Sequence, residues 1–165
     1  VYKRQVFSYI LLRFQKWQFS LGAVSAVFHD VLIVLGIFSL TYKIMPFNME
    51  INQAFIAALL TVIGYSLNDT VVVFDRIREF FKIHSSWDSE TTVNTALNST
   101  LSRTLNTSLT TLIVLTAIFI FGGESIRGFM FALIIGVMVG TYSSVFIATP
   151  IMFDSYKKRK SNLQT

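Results

Sequence analysis

The apolar residues of this chain are gathered into long segments that carry almost no charge. Residues 51–68, 104–123 and 128–153 contain no Lys, Arg, Asp or Glu, and residues 17–42 contain only Asp30. A helix needs about 20 mostly apolar residues to cross the ~30 Å hydrocarbon core of a bilayer. The pattern therefore predicts an all-α fold, a polytopic transmembrane helix bundle with four complete spans. The predicted spans cover residues 19–42, 52–74, 104–121 and 127–152.

The segments outside these spans are shorter or more polar, and we interpret residues 1–165 as a single transmembrane domain. Residues 5–14 are apolar but too short to cross a bilayer, so we expect them to be the end of an earlier span of a longer protein. The segment 76–103 is predicted to be a cytoplasmic loop with a short amphipathic helix, since Asp88 can cap a helix and apolar residues then recur at every fourth position. Residues 157–165 form a basic tail.

Composition favours a membrane location over a water-soluble core. The chain is 53% hydrophobic and 14% charged, its mean hydropathy is +0.59, and it has no cysteine. Soluble domains carry about 25% charged residues, and a chain of this length cannot bury four such helices inside its own core. A water-soluble helical domain, a disordered chain and a disulfide-linked scaffold are therefore excluded.

The net charge of +5 is concentrated at alternate ends of the spans. Basic residues precede the first span, recur in the segment 76–103 and end the chain at residues 157–160, whereas the two intervening loops are nearly neutral. By the positive-inside rule, these basic clusters and the C-terminus lie in the cytoplasm. The charge thus indicates topology in a lipid bilayer, and we expect no nucleic acid partner.

Three charged residues lie where the pattern predicts membrane. Asp30 is in the middle of the first span, Asp69 lies about 9 Å of helix before Asp75 in the second, and Arg103 opens the third. A charge near the centre of a span costs about 2.5–3.5 kcal/mol on insertion scales, so each requires a reason. Asp30 shares a helix row with small residues, and acceptance of a hydrogen bond in a packed interface is the simpler interpretation for it.

Arg103 begins a polar face on the third span. Asn106 and Thr107 follow at offsets of three and four, and two more threonines continue the row at offsets of seven and eight. Residues at these offsets share one side of a helix. We expect this side to line a polar seam, in which Asp69 of the neighbouring span meets Arg103 or the hydroxyls above it.

The predicted seam gives Asp69 a proton-binding role. Desolvation favours the neutral carboxylic acid and an approaching Arg103 favours the carboxylate, so Asp69 takes up and releases a proton as the helices move. Arginine keeps its own proton and serves as the fixed charge partner. A static structural ion pair is the alternative interpretation. The supporting polar residues are Asp30, Ser66, Asn68, Thr70, Asn106 and Thr107.

Small residues recur at every fourth position of the last span. This small-xxx-small row is the pattern of close helix packing in membranes, and it fits both a static contact and a sliding interface. The row consists of Ala132, Gly136, Gly140, Ser144 and Ala148.

The remaining motifs indicate anchoring at the membrane surface. Asp75, Arg76, Arg78 and Glu79 cluster at the cytoplasmic end of the second span, and pairs three or four apart favour local ion pairs. The sequence has two His, no Cys, and no phosphate-loop or hydrolase motif, so we expect no enzyme activity, no metal site and no cofactor. Energy is then expected from an ion gradient, with protons as the coupling ion, or from a partner.

Residues 63–79, IGYSLNDTVVVFDRIRE, closely resemble the SecF family of bacterial protein-export subunits. The resemblance extends from about residue 7 to residue 156. Supporting matches are HD at 29–30, SRTLNTS at 102–108 and FGG at 121–123.

The resemblance implies more than the residue pattern shows. SecF-like subunits pair with SecD and, in some assemblies, YajC, assist the SecYEG channel, and use the proton-motive force to export unfolded preproteins across the bacterial inner membrane. The resemblance also implies that Asp69 and Arg103 belong to the proton pathway, and that a first transmembrane helix and a periplasmic domain precede this segment. Two alternatives stay open: half of a related proton-coupled transporter for lipids or small molecules, and a purely structural membrane interaction module.

Overall fold

The computed structural model describes residues 17–162, and every regular element in that part of the chain is helical. Four helical stretches are long and apolar enough to cross a membrane. The predicted all-α, polytopic bundle is thereby confirmed, and the chain is a multi-pass membrane protein. The elements are α1 (Trp17–Thr41), α2 (Gln53–Ile83), α3 (Ser89–Phe121), α4 (Glu124–Ser143), a π turn (Ser144–Ala148) and α5 (Thr149–Asn162).

The fourth span combines three of these elements. It runs from α4 through the π turn into α5, as one helical stretch from Glu124 to Lys158. The predicted end of an earlier span at residues 5–14 lies outside the described residues.

Polar caps and glycines set the helix ends. The Asn52 side chain accepts a hydrogen bond from the backbone N–H of Phe55 at the start of α2, and Asp88 caps α3 as predicted. Gly122 ends α3, where a Cβ would overlap the carbonyl oxygen of Ile118. A larger residue at this turn would force the backbone apart, so the α3–α4 connection requires glycine here.

The segment 76–103, predicted as a cytoplasmic loop with a short amphipathic helix, is mostly helical. Helix α2 continues to Ile83 and α3 begins at Ser89, so only residues 84–88 connect them. The predicted amphipathic helix is not a separate surface element, because it forms the first turns of α3. The physical reason is that residues 89–121 contain no glycine or proline to interrupt the helix.

Two apolar clusters hold the bundle together, one on each side of a polar layer. The layer comprises Asp30, Ser66, Asp69, Thr104, Ser143 and Ser144, all buried. The buried residues of the first cluster are Phe19, Ala23, Ala26, Val73, Phe74, Ile77, Val93, Ala96, Ala148 and Met152. Those of the second are Val34, Phe38, Met49, Phe55, Ala58, Val62, Ala132, Leu133 and Ile135. Each span therefore passes from apolar to polar to apolar packing along its length.

The small-residue row of α4 lies against α2. A Cβ on Gly136 would overlap the Val62 side chain at Cγ2, and one on Gly140 would lie 3.1 Å from Ser66 Cβ. Ala132 is fully buried in the second apolar cluster. The close approach brings the Ser66 hydroxyl into the polar layer.

Candidate functional site

Asp69 lies on α2 in the polar layer, and within residues 17–158 its carboxylate is held by hydroxyl groups. It is 7% exposed. Ser144 Oγ donates to Asp69 Oδ2 at 2.6 Å, and Thr104 Oγ1 donates to Oδ1 at 3.1 Å. Within residues 17–158, no Lys, Arg or His nitrogen lies within 4.0 Å of this carboxylate.

Asp30 on α1 is the second carboxylate of the layer, and it is only 1% exposed. Its Oδ2 accepts hydrogen bonds from Ser66 Oγ at 2.5 Å and Ser143 Oγ at 2.7 Å. Its Oδ1 lies 3.2 Å from Nδ1 of the adjacent His29. The two serines come from α2 and α4, so this carboxylate joins three helices.

Ser143 and Ser144 reach the two carboxylates from consecutive positions of the fourth span. Neighbouring residues on a helix point about 100° apart, which allows Ser143 to meet α1 while Ser144 meets α2. They lie where α4 passes into the π turn, whose wider winding lets Thr149 Oγ1 donate to the carbonyl of Ser144 at 3.0 Å. The cause is Pro150, which has no N–H and whose ring would collide with a carbonyl four residues earlier in an α-helix.

Helix α1 approaches this π turn because Gly22 has no side chain. A Cβ there would lie 2.5 Å from the carbonyl oxygen of Ala148 and 3.1 Å from Phe74 Cζ. This close contact packs residues of the first apolar cluster against one side of the polar layer.

A second group of hydroxyls extends the layer towards α3. Tyr65 Oη donates to Ser108 Oγ at 3.3 Å, and Ser108 Oγ lies 2.6 Å from Thr141 Oγ1. Thr70 is fully buried, and its Oγ1 has no hydrogen-bond partner within the described residues. The layer is thus rich in groups that can both donate and accept a proton.

Arg103 does not contact Asp69 in this arrangement of the helices, so the static ion pair is absent here. Its side chain is exposed and borders a cleft of about 440 Å³ between α2 and α3, together with Asp75, Arg76 and Glu79. Thr104, one residue further along α3, occupies the place beside Asp69. The rotation of about 100° between neighbouring helical residues turns Arg103 away.

The residues of the predicted polar seam, like Arg103, lie on the side of α3 that faces away from the bundle. Asn106, Thr107 and Thr110 are exposed, and Thr107 and Thr110 donate to carbonyls of their own helix, at Arg103 and Asn106. The row that faces the bundle is Thr100, Thr104 and Ser108, spaced by four.

Of the remaining predicted supporting residues, Ser66 binds Asp30, whereas Asn68 is exposed on α2. Sequence reasoning missed Ser143, Thr104, Ser108, Thr141 and Tyr65. The available signals were the small residues at every fourth position from Thr92 to Ser108, and the consecutive serines that precede a proline.

At the end of α2, the predicted local ion pairing involves Arg76. Its Nη1 lies 2.7 Å from Glu79 Oε2, and its Nε donates to Ser99 Oγ of α3 at 3.0 Å. The guanidinium also lies 4.8 Å from the centre of the Phe80 ring. These contacts fasten α2 to the start of α3.

The fold and the layer together define a class: a polytopic membrane protein with buried carboxylates held between helices by hydroxyl groups. In residues 17–162 no group of three His, Cys, Asp or Glu side chains lies close enough to hold a metal ion. The family model of the C-terminal part of the protein export membrane proteins SecD and SecF matches residues 4–158. The chain belongs to this family.

Known proteins agree with that assignment. The SecF protein translocase subunit of Rhodothermus marinus is 60% identical over 149 residues, which cover 90% of this chain and 48% of that protein. A crystal structure of SecDF in its super-membrane-facing form superposes with a TM-score of 0.89 at 40% identity, covering 98% of this chain and 21% of that one. SecDF from Thermus thermophilus, described as a translocon-associated membrane protein, gives 0.80 at 41% identity, covering 92% and 20%. The chain therefore spans about half the length of its SecF relative and a fifth of SecDF.

Proposed function

We propose that this chain is the C-terminal membrane part of a SecF subunit that uses the proton-motive force to assist Sec-dependent export of unfolded preproteins. Asp69 is its proton-binding carboxylate. The observation that carries the proposal is a carboxylate that is 7% exposed inside a membrane-spanning helix and, among the described residues, is held by Ser144 and Thr104. An ionised group so placed requires compensation, and protonation supplies it.

The hydroxyl partners suit both protonation states of Asp69. A serine or threonine hydroxyl donates to a carboxylate, and its oxygen accepts from a carboxylic acid. In both states the two Asp69 oxygens keep a hydroxyl partner, so proton binding does not require the bundle to come apart.

Arg103 acts as the charge partner of Asp69 in a second arrangement of the helices. In the present one it lies beside Thr104 on α3 and faces the cleft towards Asp75 and Glu79. A turn of α3 about its axis exchanges Thr104 for Arg103 beside Asp69, which favours the ionised carboxylate and releases the proton. The movement of α3 is thereby tied to proton binding and release.

The proton-motive force is large enough for this task. A charge moving across a potential of about 100 mV changes its free energy by about 2.3 kcal/mol, a bias of roughly 50-fold between two arrangements. The bias between the two arrangements of α3 is transmitted to the helices that contact it, which are α2 and α4.

The partners follow from the SecF assignment. We propose that SecD covers the exposed polar side of α3, that the assembly works with the SecYEG channel and with YajC, and that unfolded preproteins are its cargo. The location is the bacterial inner membrane, with the C-terminus in the cytoplasm. The basic ends of α2 and α5, carrying Arg76, Arg78, Lys157 and Lys158, support this orientation.

The test is Asp69→Asn in the full-length protein, reconstituted with SecD and SecYEG in vesicles. We expect the variant to insert and assemble but to lose gradient-driven preprotein release, since an amide cannot cycle a proton. Glu50→Gln is the matched control, because Glu50 lies in the exposed α1–α2 connection and its loss should leave release unchanged. Gradient-driven release that survives in Asp69→Asn would disprove the proton role.

A further inference from the structure

Asp30 is more deeply buried than Asp69, and the proton role of Asp69 does not explain it. Its carboxylate accepts two hydroxyl hydrogen bonds on Oδ2, from Ser66 and Ser143, and has His29 Nδ1 beside Oδ1. A purely structural acceptor inside a membrane is more cheaply provided by a serine or a backbone carbonyl than by a carboxyl group.

The surroundings of Asp30 hold no permanent positive charge in the described part of the chain. From its own helix the neighbouring titratable group is His29, whose side chain is 31% exposed and is charged only if protonated. From α2 it meets the Ser66 hydroxyl and from α4 the Ser143 hydroxyl, and the nearest titratable side chain on α4 is Tyr142, whose ring centre lies 6.4 Å from that of His29. Every partner tolerates either protonation state of the carboxyl group.

Two short paths connect Asp30 to Asp69. On α2, Ser66 lies three residues before Asp69, one helical turn away. On the fourth span, Ser143 and Ser144 are consecutive and donate to Asp30 and Asp69 respectively. A change in the position of the α4 end therefore alters the hydrogen bonding of both carboxyl groups together.

We propose that Asp30 is a second proton-binding carboxyl group, linked to Asp69 through the adjacent hydroxyls of Ser143 and Ser144. When Asp30 releases its proton, Ser143 and Ser66 donate to the resulting carboxylate. The proposal rests on the proposed function of Asp69, and it adds a second site whose occupancy depends on the first.

The experiment is infrared difference spectroscopy on the full-length protein with its SecD partner in lipid nanodiscs. The carboxylic acid C=O band is followed between about pH 5 and about pH 9, a range in which exposed carboxyl groups are ionised. We expect the wild-type protein to lose two such bands as the pH rises. Asp30→Asn should remove one band and Asp69→Asn the other, while Glu50→Gln leaves both.

The outcomes separate this inference from the proposed function. Loss of a titrating band in Asp69→Asn but an unchanged spectrum in Asp30→Asn overturns the Asp30 site and leaves the role of Asp69 standing. An Asp30 band that persists at every pH also overturns it, since that carboxyl group never releases its proton. If Asp69→Asn removes no band, the proposed function itself fails.

Two further variants test the linkage and guard against misfolding. Ser143→Ala keeps Asp30 but removes one donor, so the Asp30 band should change frequency while the Asp69 band stays in place. In Asp30→Asn, the midpoint of the Asp69 band should move, because interacting groups titrate as a pair. An unmoved Asp69 midpoint, or an Asp30 band unaffected by Ser143→Ala, overturns the link.

Discussion

The third and fourth spans differ in how they use their surfaces. In the most apolar window of the fourth span 44% of residues are buried within the chain, against 11% for the third. The fourth span carries the small-residue row and two of the three serines of the polar layer, and it packs against α1, α2 and α3. One narrow row of α3 packs against the bundle, and its other sides, both polar and apolar, are mostly exposed. A span that must move relative to its neighbours is expected to be the one with the smaller buried fraction, which is α3.

The largest effect that tests this comparison is expected from Gly136→Leu on the fourth span. Even a Cβ at this position would overlap Val62 Cγ2, so the full side chain forces α2 and α4 apart. We expect a loss of about 3 kcal/mol or failure to fold, measured by thermal unfolding in detergent.

Gly36→Leu on α1 is the matched control for Gly136→Leu, because nothing lies within 4 Å of a Cβ there. It should leave the unfolding temperature nearly unchanged. Equal effects of the two variants would contradict the packing of α4 on α2.

The Asp69→Asn variant separates the transport role from a purely structural module. If the variant folds normally but loses gradient-driven release, the role of Asp69 is in transport.

Arg103→Gln on α3 is expected to have a small effect on the free energy of unfolding and a large effect on gradient-driven release. Arg103 makes no ion pair with another described residue, so stability should change by less than about 0.5 kcal/mol. Gradient-driven release should fall to the level of Asp69→Asn, because the charge partner is lost. Arg103→Lys keeps the charge and should retain part of the activity. A glutamine variant with normal release would remove Arg103 from the mechanism.

The two sides of α3 are compared directly by Thr104→Val and Thr107→Val. Thr104 donates to Asp69, whereas Thr107 donates to the carbonyl of Arg103 in its own helix. We expect Thr104→Val to lower the rate of gradient-driven release about tenfold, equivalent to about 1.4 kcal/mol for one hydrogen bond to a charged group. Thr107→Val should stay close to the wild-type rate. If both variants behave alike, the inward row has no special role.

The smallest effect is expected from Arg76→Gln at the α2–α3 junction. The Arg76–Glu79 pair is short at 2.7 Å, but its side chains are 39% and 50% exposed. Water and salt screen such a pair, so the free energy of unfolding should change by less than about 0.5 kcal/mol. A much larger loss in thermal unfolding would show that the bond from Arg76 to Ser99 anchors α3.

The fold was largely predictable, because the cost of charge in hydrocarbon shapes the distribution of residues along the sequence. Uncharged segments mark the spans, and the same cost makes Asp30 and Asp69 conspicuous within them. The helix predicted within the segment 76–103 is present as the first turns of α3 rather than as a separate element, since an amphipathic pattern does not distinguish the two. The lack of glycine and proline after Asp88 was the signal for a continuous helix.

The partners of the carboxyl groups were less predictable. Periodicity groups the residues on each side of α3 but does not state which side faces the bundle. The polar side with Arg103 was chosen, whereas the structure turns the smaller row with Thr104 inward, because small hydroxyl residues permit close packing. The pairing of Ser143 with Asp30 depends on the π turn, and only the full bundle shows how that turn directs consecutive side chains.

The outward hydroxyls of α3 have a consequence for how the subunit is made. Thr107, Thr110 and Thr111 satisfy their hydroxyl protons on carbonyls of their own helix, so this side of the span needs no outside acceptor. Arg103 sits near the end of the span, where a long side chain can extend to the headgroups. We therefore expect that these hydroxyl groups do not make insertion of the span into lipid depend on the arrival of a partner.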